Sequence, residues 1–168
     1  MGKLDKAAIA LKMLEFYKGN KEDINHFLKV YAYAEMIGRL EELDKETEDT
    51  LEVAAIVHDI ACPLCREKYG NTNGNHQEAE SEALLREFLP EFNLPEEMYE
   101  RVIFLVCHHH TYTNVKGMDW QILLEADYLV NASENPDKYL PSYRNFRDNV
   151  YKTAAGKRLL ASLFPEAQ

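Results

Sequence analysis

The sequence predicts an all-α protein of about six to eight helices. Three observations carry that expectation. Apolar residues recur at i, i+3, i+4 and i+7 along most of the chain, which is the period of one helix face. Strand signals are nearly absent, because β-branched residues do not alternate with polar ones over any useful length. Glycine (7) and proline (6) are sparse and fall between the periodic segments.

The expected helices cover about 3–18, 22–42, 46–60, 75–89, 95–109, 119–133 and 141–163. The first is amphipathic and broken by charges. The second carries His26, Val30, Tyr33 and Ile37 down one face. In the third, Leu51, Ala54, Ala55 and His58 share a stripe that His58 closes. "GNTNGN" (70–75) reads as a loop before a helix on which His76 lies above Ala79 and Ala83. Pro95 followed by two glutamates makes a good first turn, since proline suits the first helical position and acids suit the positive helix end. That helix carries the stripe Val102, Leu105, Val106, His109, with His108 stacked on Phe104 and Leu105. "HTYTNVKGMD" (110–119) is a second loop. Leu123, Ala126, Asp127 and Val130 share a face, which points Asp127 inward. The last segment is expected to break near Gly156, and "CPLC" to lie in a turn, with Pro63 ending the helix before it.

The 168 residues suit one domain, 1–168, with its core motifs at 20–133 and the C-terminal helices 141–163 packed on it. Three cysteines are too few for a disulfide scaffold, and the N-terminus lacks the apolar run of a signal peptide. Uncharged stretches such as "VIFLVC" are too short to span a bilayer. These features place the protein in the cytoplasm, with no membrane and with its thiols reduced. The formal charge of −10 argues against binding a nucleic-acid duplex, which needs a basic surface. An acidic protein can still bind a small phosphate ester if metal ions or a few placed cations supply positive charge.

Five helices thus direct a histidine or an aspartate toward the core. Burying an aspartate alone is costly, and the cost is met by pairing or coordination. Imidazoles and carboxylates converging from several helices make a metal site of a helical bundle. A nitrogen and oxygen donor set without thiolate suits Fe, Mn, Co, Ni or Zn.

The order His26, His58-Asp59, Asp127 resembles the H…HD…D pattern of the HD superfamily of metal-dependent phosphohydrolases. "DINHFLKVYAYAEMI", "LEVAAIVHDI" and "ILLEADYLVNA" are similar to its three helical contexts. The resemblance spans roughly residues 20–133. It implies that His26, His58, Asp59 and Asp127 hold a divalent metal, and that Asp59 bridges to a second where there are two. His76, His108 and His109 resemble the extra histidines of binuclear members such as the HD-GYP phosphodiesterases, although no GYP motif is present. One or two transition-metal ions are therefore expected, with Mg also admissible, and a nucleotide or other small phosphorylated substrate. If one metal binds, His76 or His108 is available as general acid.

The expected phosphate contacts are Arg66 and Lys68 after the HD motif, with Lys68 preferred, and Arg144 and Arg147 one turn apart as a clamp. Tyr112 and Tyr128 are candidates to stack on a base. Cys62 and Cys65 form a CxxC without the βαβ setting of a redox motif and without two further zinc ligands, so they read as packing beside the site. A non-catalytic HD module that senses a nucleotide or metal is the alternative reading, and di-iron oxygenases of the wider superfamily use a similar ligand set. A homodimer is compatible with the sequence.

Overall fold

The computed structural model describes residues 3–167. Among them the secondary structure is helical throughout, with no strand. The elements are α1 (Lys6–Tyr17), α2 (Lys21–Leu40), α3 (Lys45–Val57), α4 (Cys62–Tyr69), α5 (Gly74–Phe88), α6 (Glu96–Cys107), α7 (Met118–Glu134), α8 (Pro136–Tyr139), α9 (Tyr143–Asn145) and α10 (Ala154–Leu163).

Side-chain caps start the long helices. Asp5, Asn20 and Asp44 accept from the backbone N–H groups of Ala8, Asp23 and Thr47 at 3.0, 3.1 and 2.9 Å. Each satisfies one donor that a helix N-terminus leaves over. The core is built around two helices buried on every side. Residues 49–57 of α3 and 119–130 of α7 are all buried, as expected of a helix surrounded by others. α2 packs along both of them, and α6 covers α3 and joins α5. Phe27, Val30, Ile37, Leu51, Ile56, Leu105, Ile122 and Leu123 are among the fully buried apolar side chains between them.

The structure departs from the sequence expectation in three places, and two of them shape the site. α3 stops at Val57, so His58 caps it and Asp59 lies in a turn whose N–H and C=O groups link Val57 to Ile60 and Asp59 to Cys62. The chain then forms α4 across "CPLCREKY", with Pro63 in its first turn. Proline here opens a helix rather than closing one, because a first-turn N–H has no intrahelical partner to lose. α6 ends at Cys107, and the next three histidines follow in a turn.

The third departure is C-terminal. The chain from 140 to 150 makes a 3-10 turn, the short α9 and a wide turn closed by Tyr151 N–H to Phe146 O at 2.8 Å. Helix α10 begins beyond it, and Gly156 lies inside its first turn rather than at a break. Glu125 of α7 explains both features. Its carboxylate is fully buried and accepts from Gln121 Nε2 (2.6 Å), Lys152 N–H (3.0 Å), Thr153 N–H (3.1 Å) and Thr153 Oγ1 (2.6 Å). A Cβ on Gly156 would overlap Glu125 Oε1. The C-terminal segment is therefore tied to the central helix by one carboxylate.

Candidate metal centre

The ends of α3 and α6, the start of α2 and the middle of α7 meet at one place. His26 Nε2 lies 3.2 Å from His58 Nε2, 3.1 Å from Asp59 Oδ2 and 3.2 Å from Asp127 Oδ1. His58 Nε2 lies 3.4 Å from Asp59 Oδ2 and 3.2 Å from Asp127 Oδ1. On the other side, the second oxygen of Asp59, Oδ1, faces His109 Nε2 at 3.3 Å. His110 joins Asp59 and His109 in a group whose donor atoms lie within 4.8 Å of one another.

The tautomers of these rings follow from what they touch. His58 Nδ1 is 2.7 Å from the carbonyl of Ala55, and His109 Nδ1 is 2.7 Å from that of Val106. A carbonyl only accepts, so Nδ1 carries the proton in both. His26 Nδ1 likewise donates to Glu134 Oε1 at 2.7 Å. In the neutral rings all three Nε2 atoms then present lone pairs to carboxylate oxygens and to one another. Acceptors facing acceptors in a buried site repel, unless a cation sits between them. The chemistry of the donor set therefore fits a metal ion.

The spacings fit as well. Donors about 2.1 Å from a common ion lie about 3.0 Å apart in octahedral and about 3.4 Å apart in tetrahedral arrangement. The contacts of His26 and His58 with each other, with Asp59 and with Asp127 span 3.1–3.4 Å. Donation of the remote ring nitrogen to a carbonyl or carboxylate is also what orients a ligating histidine.

Electrostatics agree with the geometry. Burial alone would lower the His58 pKa, but Asp59 and Asp127 outweigh it and hold it up at about 10. His26 is raised too, since Asp127, Asp59 and Glu134 override its burial. The histidines in turn pull Asp127 and Asp59 well below the usual carboxylate range, against the effect of burial. The pocket stabilises positive charge wherever these groups meet. His110 differs. Burial and its neighbour His109 push it down to about 4, so its imidazole is neutral at neutral pH. Its Nε2 is buried without a partner, whereas that of His109 has the 3.3 Å approach to Asp59 Oδ1.

The remaining predicted residues are placed elsewhere. His76 donates through Nδ1 to Asn71 Oδ1 (2.9 Å) and stacks on Tyr69 at 3.9 Å. His108 turns back on its own helix, donating to Phe104 O (2.8 Å) and stacking on the Phe104 ring at 4.1 Å. Lys68 is on α4 rather than a loop, and its ammonium is held by Glu80 at 2.6 Å, outside the cavity over the cluster. Arg66 does line that cavity, but its guanidinium is held by both oxygens of Asp23 at 2.7 and 2.8 Å. Arg144 is exposed, and Arg147 pairs with Asp148 at 2.8 Å, so neither forms a clamp there. Tyr128 is buried against Phe146 at 3.9 Å, and Tyr112 packs edge-on to the same ring. Both belong to the packing of the C-terminal segment.

Four contributors were not singled out in the sequence. His110 lay in a segment read as loop. Glu134 stands seven residues, two helical turns, beyond Asp127, and that spacing was a readable signal. Gln77 and Lys138 line the cavity without any local motif to mark them.

The HD domain family model matches residues 23–140 of the chain. The chain belongs to the HD domain family, whose members bind divalent metals and are in the main metal-dependent phosphohydrolases. No match was found among curated proteins or among solved structures. Among the described residues no helix is long and apolar enough to cross a membrane.

Proposed function

We propose that this protein is a metal-dependent phosphohydrolase with a two-metal centre, acting on a small phosphate ester. The observation that carries this reading is Asp59. One of its oxygens faces His26 and His58 and the other faces His109, so a single carboxylate is shared by two groups of donors. His26, His58 and Asp127 lie together on the first side, His109 and His110 on the second, and His109 also comes within 4.8 Å of the donors of His58 and Asp127. Divalent ions held in such a pair polarise the phosphoryl oxygens, make water a nucleophile at neutral pH and offset the charge of the leaving oxygen.

The chain's own residues do the rest. Glu134 and the carbonyls of Ala55 and Val106 fix which nitrogen of each ring faces the site. Lys138 lines the cavity with no carboxylate partner among the described residues, and its ammonium, 5.2 Å from the centre of the Tyr139 ring, is the cation there that can meet a phosphate oxygen without breaking an ion pair. Lys29 and Arg66 are neutralised by Glu134 and Asp23, so they shape the wall more than they attract an anion. No nucleic-acid duplex is needed as a partner.

The test begins with metal analysis of protein purified without chelator. Two equivalents are expected, falling to one in His110→Ala and remaining at two in His76→Ala. Hydrolysis of nucleotides and general phosphoesters is then measured with added Mn, Mg, Co or Ni. Metal-dependent turnover should vanish in Asp59→Ala. Absence of any metal-dependent turnover would overturn the proposal.

A further inference from the structure

A cavity of about 540 Å³ opens over the metal centre, a volume within the range of small-ligand sites. Its wall is unusual for such a site. Small-molecule pockets are lined mostly by apolar and aromatic side chains with a few polar groups. This one has no aliphatic side chain on its wall, and Tyr139 is its one aromatic apart from histidine. Asn25 of α2, Asn131 of α7 and Asn135 after it contribute amides, and Thr72 a hydroxyl. Each amide offers both donors and an acceptor, which matches alcohol groups that also do both.

Gln77 gives this wall a specific demand. It is 4% exposed and lines the cavity. Its Nε2 donates to the carbonyl of Thr72 at 2.7 Å, which sets the orientation of the amide. Oε1 is left buried with no partner. A buried acceptor without a donor is costly, so a ligand that brings an O–H to this point is favoured. A nucleobase asks for something else, a flat aromatic or apolar face to stack on. Tyr112 and Tyr128, the expected stacking residues, pack on Phe146 away from the cavity.

We propose that the site takes the phosphate monoester of a small polyhydroxylated compound, a sugar or polyol phosphate, with a substrate hydroxyl donating to Gln77 Oε1. This rests on the phosphohydrolase reading above. In the reaction, water attacks phosphorus and the ester P–O bond breaks. The electron pair leaves with the alkoxide, which takes up a proton originating from the water. The products are the free polyol and inorganic phosphate.

The experiment compares wild type and Gln77→Leu, both loaded with Mn. Substrates are pentose, hexose and polyol phosphates, nucleoside 5′-monophosphates, and p-nitrophenyl phosphate as a substrate without hydroxyls. Wild type should prefer the best polyol phosphate to the best nucleotide by about tenfold or more in kcat/KM. Gln77→Leu should raise KM about tenfold for polyol phosphates, the size of one lost hydrogen bond. Its effect on p-nitrophenyl phosphate should be smaller by about fivefold or more, because that substrate brings no hydroxyl to Oε1. Preference for nucleotides, or equal effects of Gln77→Leu on both kinds of substrate, would overturn the proposal. Failure to hydrolyse anything, p-nitrophenyl phosphate included, would sink the phosphohydrolase reading instead. Calorimetric binding of an unreactive polyol phosphonate then decides the ligand class by itself. Binding that Gln77→Leu weakens supports it, and no binding refutes it.

Discussion

Glu134→Ala probes the link between the fold and the metal centre. Glu134 touches no other member of the cluster, yet its Oε1 takes the Nδ1 proton of His26 at 2.7 Å, and its Oε2 meets Lys29 at 3.2 Å. Removing it leaves the His26 ring free to turn and makes its Nε2 a poorer base. Loss of such an orienting partner typically weakens metal binding about 10–100-fold, which is about 1.4–2.7 kcal/mol. The lost pair with Lys29 adds little, because that lysine is half exposed. Competition titration against a metal-chelating dye reads the affinity of both sites. The site that uses His26 should weaken by the stated factor, while the site of His109 and His110 changes less than threefold. Circular dichroism checks that the helices persist. Unchanged affinity at both sites in a folded Glu134→Ala protein would refute the argument that His26 is held by this carboxylate.

Three further outcomes follow from features away from the cluster. Glu48 stands one turn from Glu52, with both carboxyl oxygens buried and unpartnered, and burial and then Glu52 push it up to about 8. A raised carboxyl pKa favours the fold while the group is protonated, so that stability is present below about pH 4.5 and is lost as pH rises through about 8. Glu48→Gln should therefore raise Tm by a few degrees at pH 9 and hardly at all at pH 4, and equal increments at both would count against the pair. Gly156→Ala should lower Tm by several degrees in a thermal melt, because overpacking against Glu125 costs about 1–3 kcal/mol. An unhindered helical glycine would show the reverse, a rise from better helix propensity. Burial and then Asp59 push the Cys62 thiol far up, so it stays protonated. Mass spectrometry after iodoacetamide treatment at pH 8 should find Cys62 unlabelled in the folded protein, and labelling at a free-thiol rate would show an open thiolate.

The helical class was legible because period dominates this sequence, and so was the order His26, His58, Asp59, Asp127. A residue that shares an apolar stripe faces the core whatever the neighbouring helices do, and His58, His26 and Asp127 are all such residues. His76 and His108 were not separable from His109 by the same logic. On α5 it is Gln77 that lines the cavity, while His76 stacks on Tyr69, a residue of the previous helix, and that contact is tertiary. His108 is captured by Phe104 and Trp120. His110 fell in the stretch 110–119 read as a loop after a helix running to 109, whereas α6 stops at Cys107 and the three histidines share the turn beyond it. The cations were the least legible. Whether Arg66, Lys68 or Lys138 meets a phosphate depends on which carboxylate lies nearby, and Asp23 is 43 positions from Arg66. Helix α4 was hidden by Pro63, which marks a start as well as a stop.

The early end of α6 sets which donors reach the cluster from this side. Each residue added to an α-helix rotates everything after it by about 100°. A single insertion in α6 would carry His109 and His110 off the cluster while changing none of their neighbours in sequence. His26, His58, Asp59 and Asp127 would be untouched, since they lie on other elements. The number of donors gathered at this centre is thus a matter of helix phase, adjustable by one codon without replacing any of them.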